Sequence, residues 1–152
     1  MLSASGSDEI LDFNSSTGNV THPITITSFA VRPYGVEFSP DGSKFYASAQ
    51  VAAAYGPGEV YQYNLLAGSD QAIKNSGISI SKNNGERCMQ LATDGKIYIA
   101  NHSPIMPVIN DPNALGINCN FSSNGFSSPS TSSPSGTTPG SAHNQNKLLC
   151  LV

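Results

Sequence analysis

Charged side chains are what this 152-residue chain has least of: Asp, Glu, Lys and Arg make up 11% of it, and the formal net charge is −3. The seven basic residues stand singly along the chain, so the electrostatic footprint for nucleic acid or an anionic membrane is missing, and neither is expected as a partner. No apolar run reaches the length of a membrane span, so insertion into a bilayer is not expected either. Tryptophan is absent, and the three cysteines show no CxxC spacing, which argues against a zinc ribbon or a thioredoxin-like site. No GxSxG, Walker or GxGxxG motif is present, so hydrolase, nucleotide and dinucleotide readings gain nothing, and no cofactor is implied. His22, His102 and His143 show neither HxH nor HExxH spacing. The first 13 residues carry no basic stretch followed by an apolar one, so no signal peptide is read there.

What is present is a β pattern with a period. Residues 34–48 read YGVEFSPDGSKFYAS: Val36 and Phe38 alternate before Asp41-Gly42, Phe45 and Ala47 after it, which is the signal of a β-hairpin. A second version follows at 88–101, CMQLATDGKIYIAN, with Asp94-Gly95 in place of Asp41-Gly42 and Lys96-Ile97-Tyr98 echoing Lys44-Phe45-Tyr46. Residues 9–18 form a strand and a polar turn closed by Gly18, and 59–68 match them, with Val60 for Ile10, Tyr63 for Phe13 and Gly68 for Gly18. A fainter third copy ends at Gly116. Alternating segments at Ile24–Ile26 and Ile78–Ile80 follow the first two turns.

Four strands thus recur in about fifty residues, the period of a β-propeller blade. The expected fold is all-β, with propeller-like four-stranded antiparallel blades, about two of them in a fragment of a larger propeller. Residues 1–28 are a trailing half blade, 29–84 a complete blade, 85–125 a partial blade and 126–152 a disordered Ser/Pro-rich tail. No window carries a helical stripe of useful length. An all-β sandwich is the structural rival, but it does not predict the internal repeat.

In order and spacing, YGVEFSPDGSKFYAS, EVYQYNLLAG, MQLATDGKIYIAN and PVINDPNALGINCNF resemble the propeller-type (WD-repeat-like or quinoprotein-like) repeat region of secreted or surface proteins of the Bacteroidota that carry type IX secretion, gliding-motility-type sorting domains. The resemblance covers about residues 9–125. It implies an extracellular or cell-surface location and a role in adhesion or binding; the sorting domain itself is missing, and no catalytic residues come with the motifs. The expected function is therefore a non-catalytic interaction scaffold for a protein or glycan. The alternative is part of a propeller enzyme, a lactonase or quinoprotein-like dehydrogenase, whose channel-facing carboxylates and histidines come from several blades. Exposed blade faces also make self-association an expectation.

The residues singled out have mostly structural readings. Asp41, Gly42, Asp94 and Gly95 are read as turn formers, with Gly18, Gly68 and Gly116 closing the other turns. Glu37 is expected to be a solvated edge carboxylate. Asn110, Asp111 and Asn113 place several oxygens in one loop, as calcium prefers, but without the ordering of an EF-hand; an Asx-Pro turn is the simpler reading. Cys88 and Cys119 are the one disulfide the patterned region allows, with two small buried thiols as the alternative.

Overall fold

The computed structural model describes residues 8–26, 32–50, 58–82, 88–101 and 103–127. The architecture is all-β, built from antiparallel sheets with short helical connections. Strands β1 (Asp8–Asn14) and β2 (Asn19–Ile26) form a hairpin. Strands β3 (Arg32–Phe38), β4 (Lys44–Gln50), β5 (Gly58–Asn64) and β6 (Ile78–Lys82) make a four-stranded sheet in the order 3-4-5-6. Strands β7 (Met89–Leu91), β8 (Ile97–Ile99), β9 (Ile105–Ile109) and β10 (Phe121–Ser127) make a second sheet, in which each strand again lies beside its neighbour in the chain. Among the described residues, no sheet closes on itself.

Alternation along the strands decides how these layers stack. In β4, Phe45, Ala47 and Ala49 point one way and are buried with Ile24 and Ile26 of β2 and with Tyr63, while Ile10 of β1 packs at the margin. Tyr46, on the other face of β4, is buried with Val60, Met89, Ile97, Ile99, Ile109 and Cys119. Two cores result, one between the hairpin and the first sheet and one between the two sheets. The first sheet is therefore covered on both faces, which is why its central strands hold residues such as Tyr46, Val60 and Tyr63 with no exposed surface at all.

Three features depart from the sequence reading. The pattern predicts a leading three-quarters of a unit over 88–121 and a partial blade over 85–125, but β10 supplies a fourth strand that runs to Ser127, into the stretch expected to be tail. FSSNGFS has weak strand propensity; what holds it is pairing with β9, Phe121 opposite Ile109 and Phe126 opposite Met106, across a bulge that falls between Ser122 and Phe126. The rest of the expected tail lies outside the described residues. Second, a helix α1 (Asp70–Asn75) interrupts the β5–β6 connection. Ser69 caps it, its Oγ accepting from the Ala72 amide at 3.2 Å, and Asp70 and Lys74 sit at the ends that the helix dipole favours. One turn and a half is too short to show as a periodic stripe, and only Ile73 is buried from it. Third, Cys119 is a free and fully buried thiol, so the Cys88–Cys119 disulfide is not formed; Cys88 is itself disulfide-bonded, but not to Cys119. Cys119 ends a 3₁₀ turn (Gly116–Cys119) and is enclosed by the inter-sheet core, where the thiol behaves as a small apolar group.

The packing is tight where α1 returns to the sheet. A β-carbon at Gly77 would stand 2.6 Å from the Tyr63 ring, which is fully buried and cannot retreat. Gly77→Ala is expected to lower stability by about 1–3 kcal/mol through overpacking, read as a reduced midpoint in urea with an unchanged slope; an unaltered midpoint would mean the Tyr63 ring has room that the packing denies.

Candidate functional site

In a four-stranded meander the first and third connections fall at the same edge, so the turns β3–β4 and β7–β8 share one rim with the connections β1–β2, β5–β6 and β9–β10. Hydrogen bonds join these loops. The Leu65 amide donates to Ser43 O at 3.0 Å, the Asp41 amide to Asn113 Oδ1 at 3.3 Å, and Lys96 Nζ to Asn110 Oδ1 at 2.9 Å.

The Asp-Gly pairs form the turns expected of them. Gly42 and Gly95 adopt φ of +70° and +79°, and their amides donate back to Ser39 O and Ala92 O. Asp41 Oδ1 accepts from the Ser43 amide at 2.9 Å and from Ser39 Oγ at 2.7 Å, and these bonds, those of Ser43 first, hold its carboxyl down at about 2. That support is present above the ordinary 3.8 and is lost only as pH falls through about 2. Asp94 does the same for Lys96, accepting from its amide at 3.1 Å, and takes a further bond from the Tyr98 hydroxyl at 2.9 Å; its carboxyl is lowered accordingly. Gly18, Gly68 and Gly116 also have positive φ and lie in the β1–β2, β5–β6 and β9–β10 connections. Glu37, expected at a solvated edge, instead crosses between sheets: its Oε2 accepts from the Leu91 amide at 2.8 Å.

The 110–120 loop is ordered by the sheet next to it. Gln62, fully buried, donates from Nε2 to Tyr46 Oη at 2.7 Å and to Ala114 O at 2.8 Å, while its Oε1 accepts from the Gly116 amide at 2.6 Å. Tyr46 Oη donates in turn to Pro112 O at 2.7 Å. Burial pushes both the Tyr46 phenol and the Cys119 thiol up, so both stay neutral at ordinary pH. Within the loop, Asp111 N donates to Cys119 O and Ala114 N to Asp111 O. The candidate cation ligands are thus occupied by different partners: Asn110 by the Lys96 ammonium, Asp111 Oδ2 by Asn120 Nδ2 at 3.3 Å, and Asn113 by the Asp41 amide. An ammonium seated on Asn110 stands where a ligand oxygen would face its metal, and the loop is a hydrogen-bonded connector.

This loop displays what the motifs did not reveal. With Gly116 hooked down at φ +61°, its neighbours Leu115 and Ile117 are turned outward, 54% and 82% exposed. Leu66, on the β5–α1 connection of the same rim, is 74% exposed. Apolar side chains held out on a loop fixed from beneath are unlike the scattered apolar exposure of a solvating surface.

A second cluster was also invisible to motif reading. His22 Nδ1 lies 3.2 Å from Asp12 Oδ2, and its Nε2 lies 3.1 Å from Asp70 Oδ1, so the imidazole bridges the hairpin to α1. His22 holds φ +54°, a strained value for a residue with a side chain, at the bulge in the β1–β2 pairing. His102 lies outside the described residues. Both His22 nitrogens face carboxylates, and only the imidazolium donates from both; the bond to Asp12, then the charge of Asp70, raises its pKa.

Comparison with family models, with curated proteins and with solved structures returned no match.

Two outcomes are expected from these contacts. Gln62→Leu keeps the volume but strands the Gly116 amide and the Ala114 carbonyl in the interior, and is expected to cost about 1–3 kcal/mol in urea denaturation; a neutral result would show that the loop finds other partners. For His22 the raised pKa means that its contribution is complete below the ordinary imidazole value of 6.5 and is lost as pH climbs through the raised one. Amide exchange in β1–β2 should therefore accelerate, beyond the intrinsic pH dependence, as pH rises past that window, and His22→Asn, which tolerates the positive φ, should abolish the excess; an identical profile in the variant would remove the bridge from the account.

Proposed function

We propose that this chain is a run of propeller-like blades that acts as a non-catalytic scaffold of a secreted or cell-surface protein, gripping a protein partner through its loop rim. The extracellular placement rests on the resemblance of the four motifs. Support for blades comes from the way equivalent positions play equivalent parts: Phe45 and Ile97 each face the preceding layer, and Tyr46 and Tyr98 each face away from it.

The observation that carries the functional reading is the display of Leu115 and Ile117 on a loop anchored by Gln62. Exposed apolar side chains gain by desolvation against a partner, and a loop that is already ordered spends little conformational entropy on docking. Protein is favoured over glycan because the displayed groups are branched aliphatics, which bury well against a peptide surface and offer no hydrogen bond to a sugar hydroxyl. The side chains that looked chemically active, Asp41, Asp94, Glu37 and Asp111, all act as hydrogen-bond acceptors within and between sheets.

Selection of a random peptide display library on the immobilised chain tests the proposal, with the double variant Leu115→Asp, Ile117→Asp as comparator. The expected result is enrichment of peptides with aliphatic or aromatic anchors that bind the parent chain at least about tenfold more tightly than the variant, a difference of about 1.4 kcal/mol. No enrichment, or peptides that bind both chains equally, would overturn it. A glycan array showing saturable binding indifferent to the double substitution would overturn the choice of partner.

A further inference from the structure

We propose that the outer face of the β1–β2 hairpin and the outer face of the β7–β10 sheet are two halves of one head-to-tail interface, and that its occupant is a second copy of this chain. The inference rests on the blade reading above and adds a partner to it.

The packing inside the chain already shows how such faces are covered. On β5, Tyr61 and Tyr63 point toward the preceding layer, and Tyr63 is fully buried there with Ile24 and Ile26. Fifty residues earlier, Leu11 and Phe13 hold the same positions on β1, where Ile10 has turned inward to the first core. Leu11 is 45% and Phe13 67% exposed, and Val20, paired directly across from Phe13 on the same face, is 57% exposed. Among the described residues, this is a leading face without the layer that covers its counterpart.

The other end is its complement. Tyr46 points toward the following layer and is completely covered by it. Its counterpart in β8 is Tyr98, which meets Phe126 edge-on with ring centroids 6.3 Å apart. Phe126 pairs with Met106, and Tyr98 pairs with Val108, so these four side chains share the outer face of the sheet; Val108 is buried, Tyr98 and Met106 are half-buried, and Phe126 is 46% exposed. Among the described residues this trailing face is only partly covered, whereas its counterpart Tyr46 is covered completely.

Leading and trailing faces already pack against each other twice in the chain, as the two cores. The two outer faces are a third set of the same two kinds of surface, and they continue that stacking. A trailing face fits a leading face rather than itself, so association between copies is heterologous: it adds chains in one direction and either closes a ring or runs on. Glu9 and Thr25 lie at one end of the leading face, and the aromatic and aliphatic side chains of the two faces suit burial.

Sedimentation velocity on the full chain over roughly a hundredfold range of concentration tests this through mass action. The parent chain should grow in mass with concentration. Phe13→Asp, with its leading face blocked, and Phe126→Asp, with its trailing face blocked, should each remain monomeric with unchanged circular dichroism. Mixed in equal amounts they should form a complex that stops at two chains, because one intact face of each kind remains. Should either variant lose its fold, Val20→Asp and Phe126→Ser replace them. A parent chain that stays monomeric, variants that still associate, or a mixture that stays monomeric would each overturn the proposal. Amide exchange separates this failure from that of the blade reading: a monomer with both four-stranded sheets protected sinks only the self-docking, whereas unprotected strands sink the blades as well.

Discussion

A single buried carboxamide organises the region where two sheets and a loop meet. Gln62 projects from the middle strands of the first sheet into the inter-sheet core and meets all its partners there: a phenol, a carbonyl and an amide. An amide in an apolar core is costly unless it is satisfied, and once satisfied it is demanding, because only one placement of the 110–120 loop supplies the partners. The loop's path, the burial of Cys119 beneath it and the outward turn of Leu115 and Ile117 all follow from that condition. Apolar contacts between Val60, Ile97 and Ile109 supply attraction between the sheets but little orientation, whereas the Gln62 and Tyr46 hydroxyl bonds fix where one sheet sits over the other.

The hairpin is held to the first sheet on different terms. Ile24 and Ile26 of β2 reach the core, but β1 contributes only Ile10 at its margin, and most of the hairpin surface is exposed. The polar attachment is the Asp12–His22–Asp70 bridge, which is solvent-exposed and sensitive to the imidazole charge. Exposed ion pairs contribute modestly, so the hairpin is the part of the molecule whose docking most depends on what lies against its other face. On the proposed blade reading, a covering layer there would complete the arrangement that Tyr63 already enjoys one unit further along.

These two connections give the chain a graded construction. The inter-sheet junction is buried and its polar groups are satisfied by hydrogen bonds, including the Glu37 carboxylate on the Leu91 amide; the hairpin junction is exposed and titratable. The loop rim is tied down by hydrogen bonds in the same way, which on the proposed function suits a surface that keeps its shape as a partner docks.

The amino-acid sequence determined by itself what depends on neighbours in the chain. Asp41-Gly42 and Asp94-Gly95 make their turns from bonds spanning two or three residues, and the alternation of Phe45, Ala47 and Ala49 against Tyr46 and Ser48 sets a two-faced strand before any partner arrives. The all-β class and the hairpin order were legible for that reason. Tertiary structure alone decided the rest. Gln62 meets Gly116 across 54 residues, Leu91 meets Glu37 across 54, and His22 meets Asp70 across 48, and nothing in the local pattern distinguishes these side chains from solvated ones. The fourth strand of the second sheet and the free thiol of Cys119 have the same cause. A weak strand becomes ordered where an edge stands ready to pair with it, and a cysteine buried in an inter-sheet core stays a thiol because the residues that enclose it are apolar side chains and a tyrosine.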